Sequence, residues 1–196
     1  MLSSIHPLGE RTRNNRWSTT AAAFVVGALA GSLVTGIVVG AAALPVGVWI
    51  DPAVRWLVVA VVAIAAFASE LTRRGRPLPS WHRQVNEDWL GRYRGWVYGV
   101  GFGFQLGAGW FTYVTTSLVY LTAVIALASG SFWSALLICG LFGLTRGALI
   151  GVVARVHDPE SLRRLHTDLA RAAAPARLLA GATAALAAGM AMGFVW

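Results

Sequence analysis

Residues 20–44 carry no charged side chain. At about 1.5 Å of rise per helical residue, a run of that length exceeds the roughly 30 Å hydrocarbon core of a bilayer. Hydrocarbon offers no water to backbone N–H and C=O groups, so a segment of this kind must pair them internally, which a helix does. Four further apolar runs follow, at residues 54–70, 96–127, 131–154 and 178–196. The sequence therefore predicts an all-α, polytopic helical membrane protein of about five transmembrane helices: residues 1–19 form a cytoplasmic N-terminal tail and residues 20–196 a single transmembrane domain. Composition agrees, with 57% of residues hydrophobic and 12% charged, about half the charge of an ordinary soluble domain.

The charge that remains is one-sided. All sixteen basic residues are arginine, and the formal net charge is +8. Fourteen fall in three segments that a five-span topology places on one side: Arg11, Arg13 and Arg16; Arg73, Arg74, Arg76, Arg83, Arg92 and Arg94; and Arg155, Arg163, Arg164, Arg171 and Arg177. Cytoplasmic loops retain such an excess, so the N-terminus is expected inside and the C-terminus outside. The bilayer then accounts for the charge, with no nucleic acid partner, and the expected location is a bacterial inner membrane, crossed several times. The first apolar run is also longer than a signal-peptide core of roughly 7 to 15 residues, and it is read as a retained span.

Several chemistries are excluded by residue type. Cys139 is the one cysteine, so no CxxC pair, internal disulfide or cysteine-based zinc site can form. Without lysine there is neither a Walker A lysine nor a Schiff-base lysine. There is no HExxH or GxSxG motif, His157 and His166 lack metal-ligand spacing, and Ser117 sits in an apolar run without a histidine base. No catalytic residue, metal or cofactor is expected, and the chain does not read as an enzyme.

Glycines recur at four-residue spacing: Gly27 and Gly31, then Gly36 and Gly40, in the first run; Gly95, Gly99, Gly103 and Gly107 in the third; Gly143, Gly147 and Gly151 in the fourth. Small residues so spaced let helix backbones approach closely in lipid. Trp81, Val85, Trp89 and Tyr93 recur every four residues before the third run and suggest an interfacial amphipathic helix. With Arg92 and Arg94, the aromatic residues Trp81, Trp89 and Tyr93 form a candidate docking face for a partner protein. In the later polar stretch, Asp158-Pro159-Glu160 reads as an N-cap, a proline at the first helical position and an acid in the first turn.

The third run, 96–127, would reach roughly 48 Å as one helix, so it either tilts strongly or breaks. Gly107-Ala108-Gly109 is the candidate break, with Thr112, Thr115 and Thr116 following to satisfy freed backbone groups. Arg146 in the fourth run and Gln105 in the third lie at similar depth, and Glu70 is a candidate charge partner for Arg146. An ionisable residue inside a span asks for a reason. Gln105, Thr112, Thr115, Thr116 and Arg146 are accordingly the candidate substrate-binding set, the arginine suiting a small anionic solute.

The stretch Trp96–Ala154 carries "YGVGFGFQLGAGW", a candidate break, the turn "ASGS" and a second glycine-rich run. In this it resembles the transmembrane family of cytochrome c biogenesis and thiol-disulfide electron carriers, the DsbD/CcdA type. That family has six spans and places a cysteine between prolines at the break, where this chain has Phe111-Thr112-Tyr113-Val114-Thr115-Thr116. The resemblance thus implies a transporter-like scaffold without the redox relay. Two functions follow as expectations: a transporter for a small anionic solute, or a non-transporting subunit or assembly factor that packs against a partner membrane protein. Either could work as a homo-oligomer.

Overall fold

The computed structural model describes residues 5–72, 78–79, 89–109 and 114–195. Among the described residues every regular element is helical: α1 (Pro7–Thr12), α2 (Trp17–Trp49), α3 (Pro52–Thr72), α4 (Trp89–Arg92), α5 (Gly95–Ala108), α6 (Leu118–Ala128), α7 (Phe132–Ala148), a 3-10 segment (Leu149–Arg155) and α8 (Pro159–Gly193). Four stretches are long and apolar enough to cross a membrane: α2, α3, α7 with its 3-10 extension, and α8. The chain is an all-α, polytopic helical membrane protein.

Three elements depart from the expected outlines. The run 96–127 is interrupted: α5 ends at Ala108, Gly109 takes a positive φ of 75°, residues 114–117 are not helical, and α6 begins at Leu118. That backbone conformation suits glycine, which has no Cβ to clash. The first helix continues through Pro45 to Trp49 rather than ending at residue 44; a proline inside a membrane helix forfeits one backbone bond and is tolerated there. The polar stretch after Arg155 and the last apolar run are one helix of 35 residues that carries on through Pro175.

The chain divides into two compact units. The first comprises Met1–Ser32, Trp81–Tyr113 and Leu141–Ala172. Its core joins Ile5, Phe24, Tyr98, Phe102, Ile150 and Val153, with Leu162 and Leu165 of α8 packed against it. Along it, α2 and α5 meet backbone to backbone: a Cβ on Gly103 or Gly107 would overlap the carbonyl oxygen of Phe24 or Ala28, and one on Gly27 or Gly31 would overlap that of Val100 or Phe104. Dispersion and close packing hold helices together in lipid, where water supplies no drive to bury them against each other, so each glycine here admits the opposite backbone.

The segment assigned to a cytoplasmic tail is part of this unit. Ile5 is fully buried, and the Leu8 N–H donates to the Val156 carbonyl at 3.2 Å. His6 caps α1, its Nδ1 accepting from the Gly9 N–H at 3.1 Å, and Asn14 closes the helix with φ of 57°, a left-handed conformation that asparagine tolerates.

The second unit comprises Leu33–Ser80, Val114–Gly140 and Ala173–Trp196. Its core is built from small residues: Ala60, Ala63 and Ala66 of α3 lie in one cluster with Leu121 and Ala128 of α6 and with Ala184, Ala188 and Ala191 of α8. Asp51 caps α3 through the Ala53 N–H at 2.8 Å. Arg55 donates through Nη1 to the Ala128 carbonyl at 3.2 Å, placing a cation at the C-terminus of α6, where the helix dipole favours one.

Candidate functional site

Among the described residues, the structure buries one carboxylate in each unit and surrounds it with donors. In the first unit the carboxylate is Glu10, at 0% exposure. The Tyr98 hydroxyl of α5 lies 2.5 and 2.6 Å from its two oxygens, the Thr20 hydroxyl of α2 donates to Oε2 at 2.8 Å, and Arg13 Nη1 pairs with Oε1 at 3.0 Å. Asn15 Nδ2 in turn donates to the Tyr98 oxygen at 3.2 Å. Gly95 begins α5 directly against this cluster, where a Cβ would overlap Thr20 Oγ1 at 2.5 Å and lie 3.2 Å from Glu10 Oε2. The cluster ties α1 to both α2 and α5.

In the second unit the carboxylate is Glu70, near the end of α3 and 5% exposed. Its Oε1 accepts from the Thr116 hydroxyl at 3.0 Å, the Ser117 hydroxyl at 2.7 Å and the Ser117 N–H at 2.7 Å. Ser117 Oγ also lies 3.3 Å from the Ala66 carbonyl. Ser117 precedes α6, so Glu70 caps from a neighbouring helix the terminus that the interruption leaves open. A carboxylate at a helix N-terminus pairs orphan N–H groups and matches the helix dipole.

The candidate substrate-binding residues do not form one cluster. Thr116 meets Glu70, Thr115 is exposed, and Thr112 lies outside the described residues. Gln105 stands on α5, half-buried. Arg146 stands in the last turn of α7, with its guanidinium carbon 5.3 Å from the centroid of the Phe142 ring and its Nη1 shielded without a hydrogen-bond partner among the described residues. Glu70, offered as its charge partner, belongs to the other unit and is engaged at the start of α6.

The candidate docking residues also divide. Trp89 turns inward, stacked on Phe102 with ring centroids 6.0 Å apart and edge-on to Tyr93 at 5.7 Å. Arg92, Tyr93 and Arg94 are exposed, and Trp81 lies outside the described residues. The Asp158 cap is present: Oδ1 accepts from the Ser161 N–H at 2.8 Å, and that bond holds the carboxyl below its usual range. The following turn carries the Glu160–Arg164 pair at 3.2 Å, while Asp168 lies nearest Arg171 at 3.9 Å. Among the described residues no group of three or more His, Cys, Asp and Glu is placed to hold a metal.

Sequence reasoning missed Glu10, Tyr98 and Thr20, and it set Ser117 aside for want of a nearby base. The available signal was Glu10 itself, the single acid in a tail otherwise rich in arginine.

No family model matches the sequence, and no solved structure matches it. Curated relatives do. The chain is similar to the methylamine utilization protein MauF of Paracoccus denitrificans, 32% identical over 138 residues that make up 70% of this chain and 50% of the relative. The MauF of Paracoccus versutus is 31% identical over 147 residues, 74% of this chain and 54% of the relative, and that of Methylobacillus flagellatus is 29% identical over 147 residues, 74% and 52%. The chain thus spans about half the length of the curated relatives it matches. These matches overturn the resemblance to the DsbD/CcdA type: glycine-rich texture around a broken helix meets a general demand of packing in lipid, whereas aligned identity over about three quarters of the chain points to the MauF proteins.

Proposed function

We propose that this chain is an accessory membrane protein of methylamine utilization, a non-catalytic subunit or assembly factor that packs against partner membrane helices and engages other proteins of that process. The observation that carries the reading is the similarity to several MauF proteins over about three quarters of the chain. The exposed Arg92, Tyr93 and Arg94 beside α5 give a soluble partner a polar and aromatic surface, and the arginine distribution supports a cytoplasmic N-terminus and a cytoplasmic place for that surface in a multi-pass inner-membrane protein. The test is deletion of the gene in a bacterium that grows on methylamine. Growth on methylamine should fail and return with the gene in trans, growth on an unrelated substrate should be unaffected, and native mass spectrometry of the gently extracted protein should find it with a different polypeptide. Undiminished growth on methylamine, or a chain found only alone, overturns the reading.

A second reading, movement of a small anionic solute, is favoured by one feature: the interruption between α5 and α6, with Thr115 and Thr116 just before α6. Discontinuous helices build solute sites in many transporters. Uptake into vesicles that is lost in Arg146→Gln supports this reading, and uptake equal to that of empty vesicles removes it.

A further inference from the structure

Arg146 is the one charged residue between Phe132 and Val153, and two features of its place in the first unit bear on what it binds. The first is depth. Counting about 1.5 Å per α-helical residue and about 2.0 Å per 3-10 residue, Arg146 stands roughly 21 Å along the axis from Phe132 and roughly 17 Å from Arg155. A three-methylene stem cannot carry its guanidinium over either distance, so neither layer of headgroup phosphates is within reach by snorkelling. The second feature is its position on the helix. Gly143 and Gly147 turn toward α2, where a Cβ on Gly143 would overlap the Ser32 hydroxyl and one on Gly147 would lie 3.0 Å from Ala28 Cβ. Leu141, Leu144 and Leu149 turn outward, at 62%, 45% and 51% exposure. Arg146 therefore sits at the border of the packed and lipid-facing sides of α7.

Among the described residues, Nη1 of this guanidinium is shielded and meets no acceptor, and the Phe142 ring lies against its carbon. The aromatic face offsets part of the cost of the charge but accepts no strong hydrogen bond. Among the described residues no carboxylate pairs with it. Charged residues at this depth pair with one another or line a bundle interior, and the acceptor matching a planar guanidinium is a carboxylate. We infer that the Arg146 side of α7 docks a membrane-spanning helix of a partner protein that carries an aspartate or glutamate near mid-membrane. The inference rests on the accessory reading and names the chemistry of the partner.

The test uses the full chain in phosphatidylcholine vesicles at pH 8 and two synthetic spanning helices of about 22 leucine and alanine residues, one with a central glutamate and one with glutamine. Association is read by energy transfer between labels. The glutamate helix should bind at least about tenfold more tightly than the glutamine helix, the order expected of one charge-assisted pair in lipid. That preference should vanish in Arg146→Gln and persist, weakened, in Arg146→Lys. Because the two helices are compared on the unaltered protein, misfolding of a variant does not blur the result. Equal binding of the two helices overturns the inference, as does a preference that survives Arg146→Gln. Displacement of the glutamate helix by added phosphatidylglycerol, with the lipid retained on the wild-type protein in native mass spectrometry and absent from Arg146→Gln, also overturns it and assigns the site to a lipid phosphate. Equal binding alongside an intact complex with a different polypeptide defeats this inference alone, whereas absence of that complex defeats the accessory reading.

Discussion

Glu10 and Glu70 are both buried carboxylates ringed by hydroxyl donors, yet they hold different kinds of structure. Glu10 stands on a helix of six residues, and its donors come from side chains on α2 and α5 and from Arg13, the residue just past its own helix. Glu70 stands on a helix of membrane-spanning length, and its donors come from the two residues before α6, one of them a backbone N–H. The first arrangement fastens a peripheral segment to a finished pair of helices, while the second completes a helix end inside the apolar fold. A short helix can detach into water, where its polar groups are solvated, but a helix end buried within the packed fold has no such refuge. The same chemistry should therefore fail locally at Glu10 and globally at Glu70.

The largest effect is expected at Glu70. Glu70→Ala strands the Ser117 N–H and two hydroxyls and should lower the stability of the whole protein by about 3 kcal/mol, the upper range for bonds to a charged acceptor. Glu70→Gln, which keeps an acceptor oxygen, should cost only about 1 kcal/mol. Thermal unfolding in detergent compares the two, and equal losses would show that charge, not capping, is what α6 requires. At Glu10 the expected signature is different. Glu10→Ala and, more weakly, Tyr98→Phe should free α1 at a local cost of about 2 and about 1 kcal/mol, seen as faster tryptic cleavage after Arg11 and Arg13 with little change in the unfolding midpoint. A large midpoint shift for Glu10→Ala would erase the distinction between the two carboxylates.

The contrast also explains what could be read in the sequence. Membrane helices announce themselves through uninterrupted apolar runs, because lipid punishes every other arrangement of backbone, and α2 and α3 were legible for that reason. The Asp158 cap was legible because capping is local, involving residues three apart. Glu10 with Tyr98 and Glu70 with Ser117 are separated by 88 and 47 residues; nothing in the residue pattern of either segment names its partner. Arg146 stood out because a charge in an apolar run is conspicuous whatever it touches. The docking stripe misled at Trp89, since aromatic residues four apart mark an apolar helix face equally well when that face meets a protein core, and Trp89 stacks on Phe102.

The smallest expected effect tests how α1 is held, and its sign follows from the cap. His6 accepts the Gly9 N–H through Nδ1 at 3.1 Å, which only an unprotonated Nδ1 can do. Burial first, and then the nearby Arg13, hold its pKa below the ordinary 6.5, with His166 of α8 acting in the same direction and Glu10 opposing them. A depressed folded pKa means that the detached segment binds the proton more readily than the docked one. Docking should thus be at full strength above pH 6.5 and weaken as the pH falls through the lower, docked value. Hydrogen exchange of residues 5–15, corrected for intrinsic rates, should rise several-fold in the wild-type protein between pH 7.5 and 5.5. Asparagine is a good N-cap that does not titrate in this range, so His6→Asn should keep the segment protected at both pH values. Loss of protection at pH 5.5 in His6→Asn as well would show that the His6 cap is not what makes docking pH-dependent.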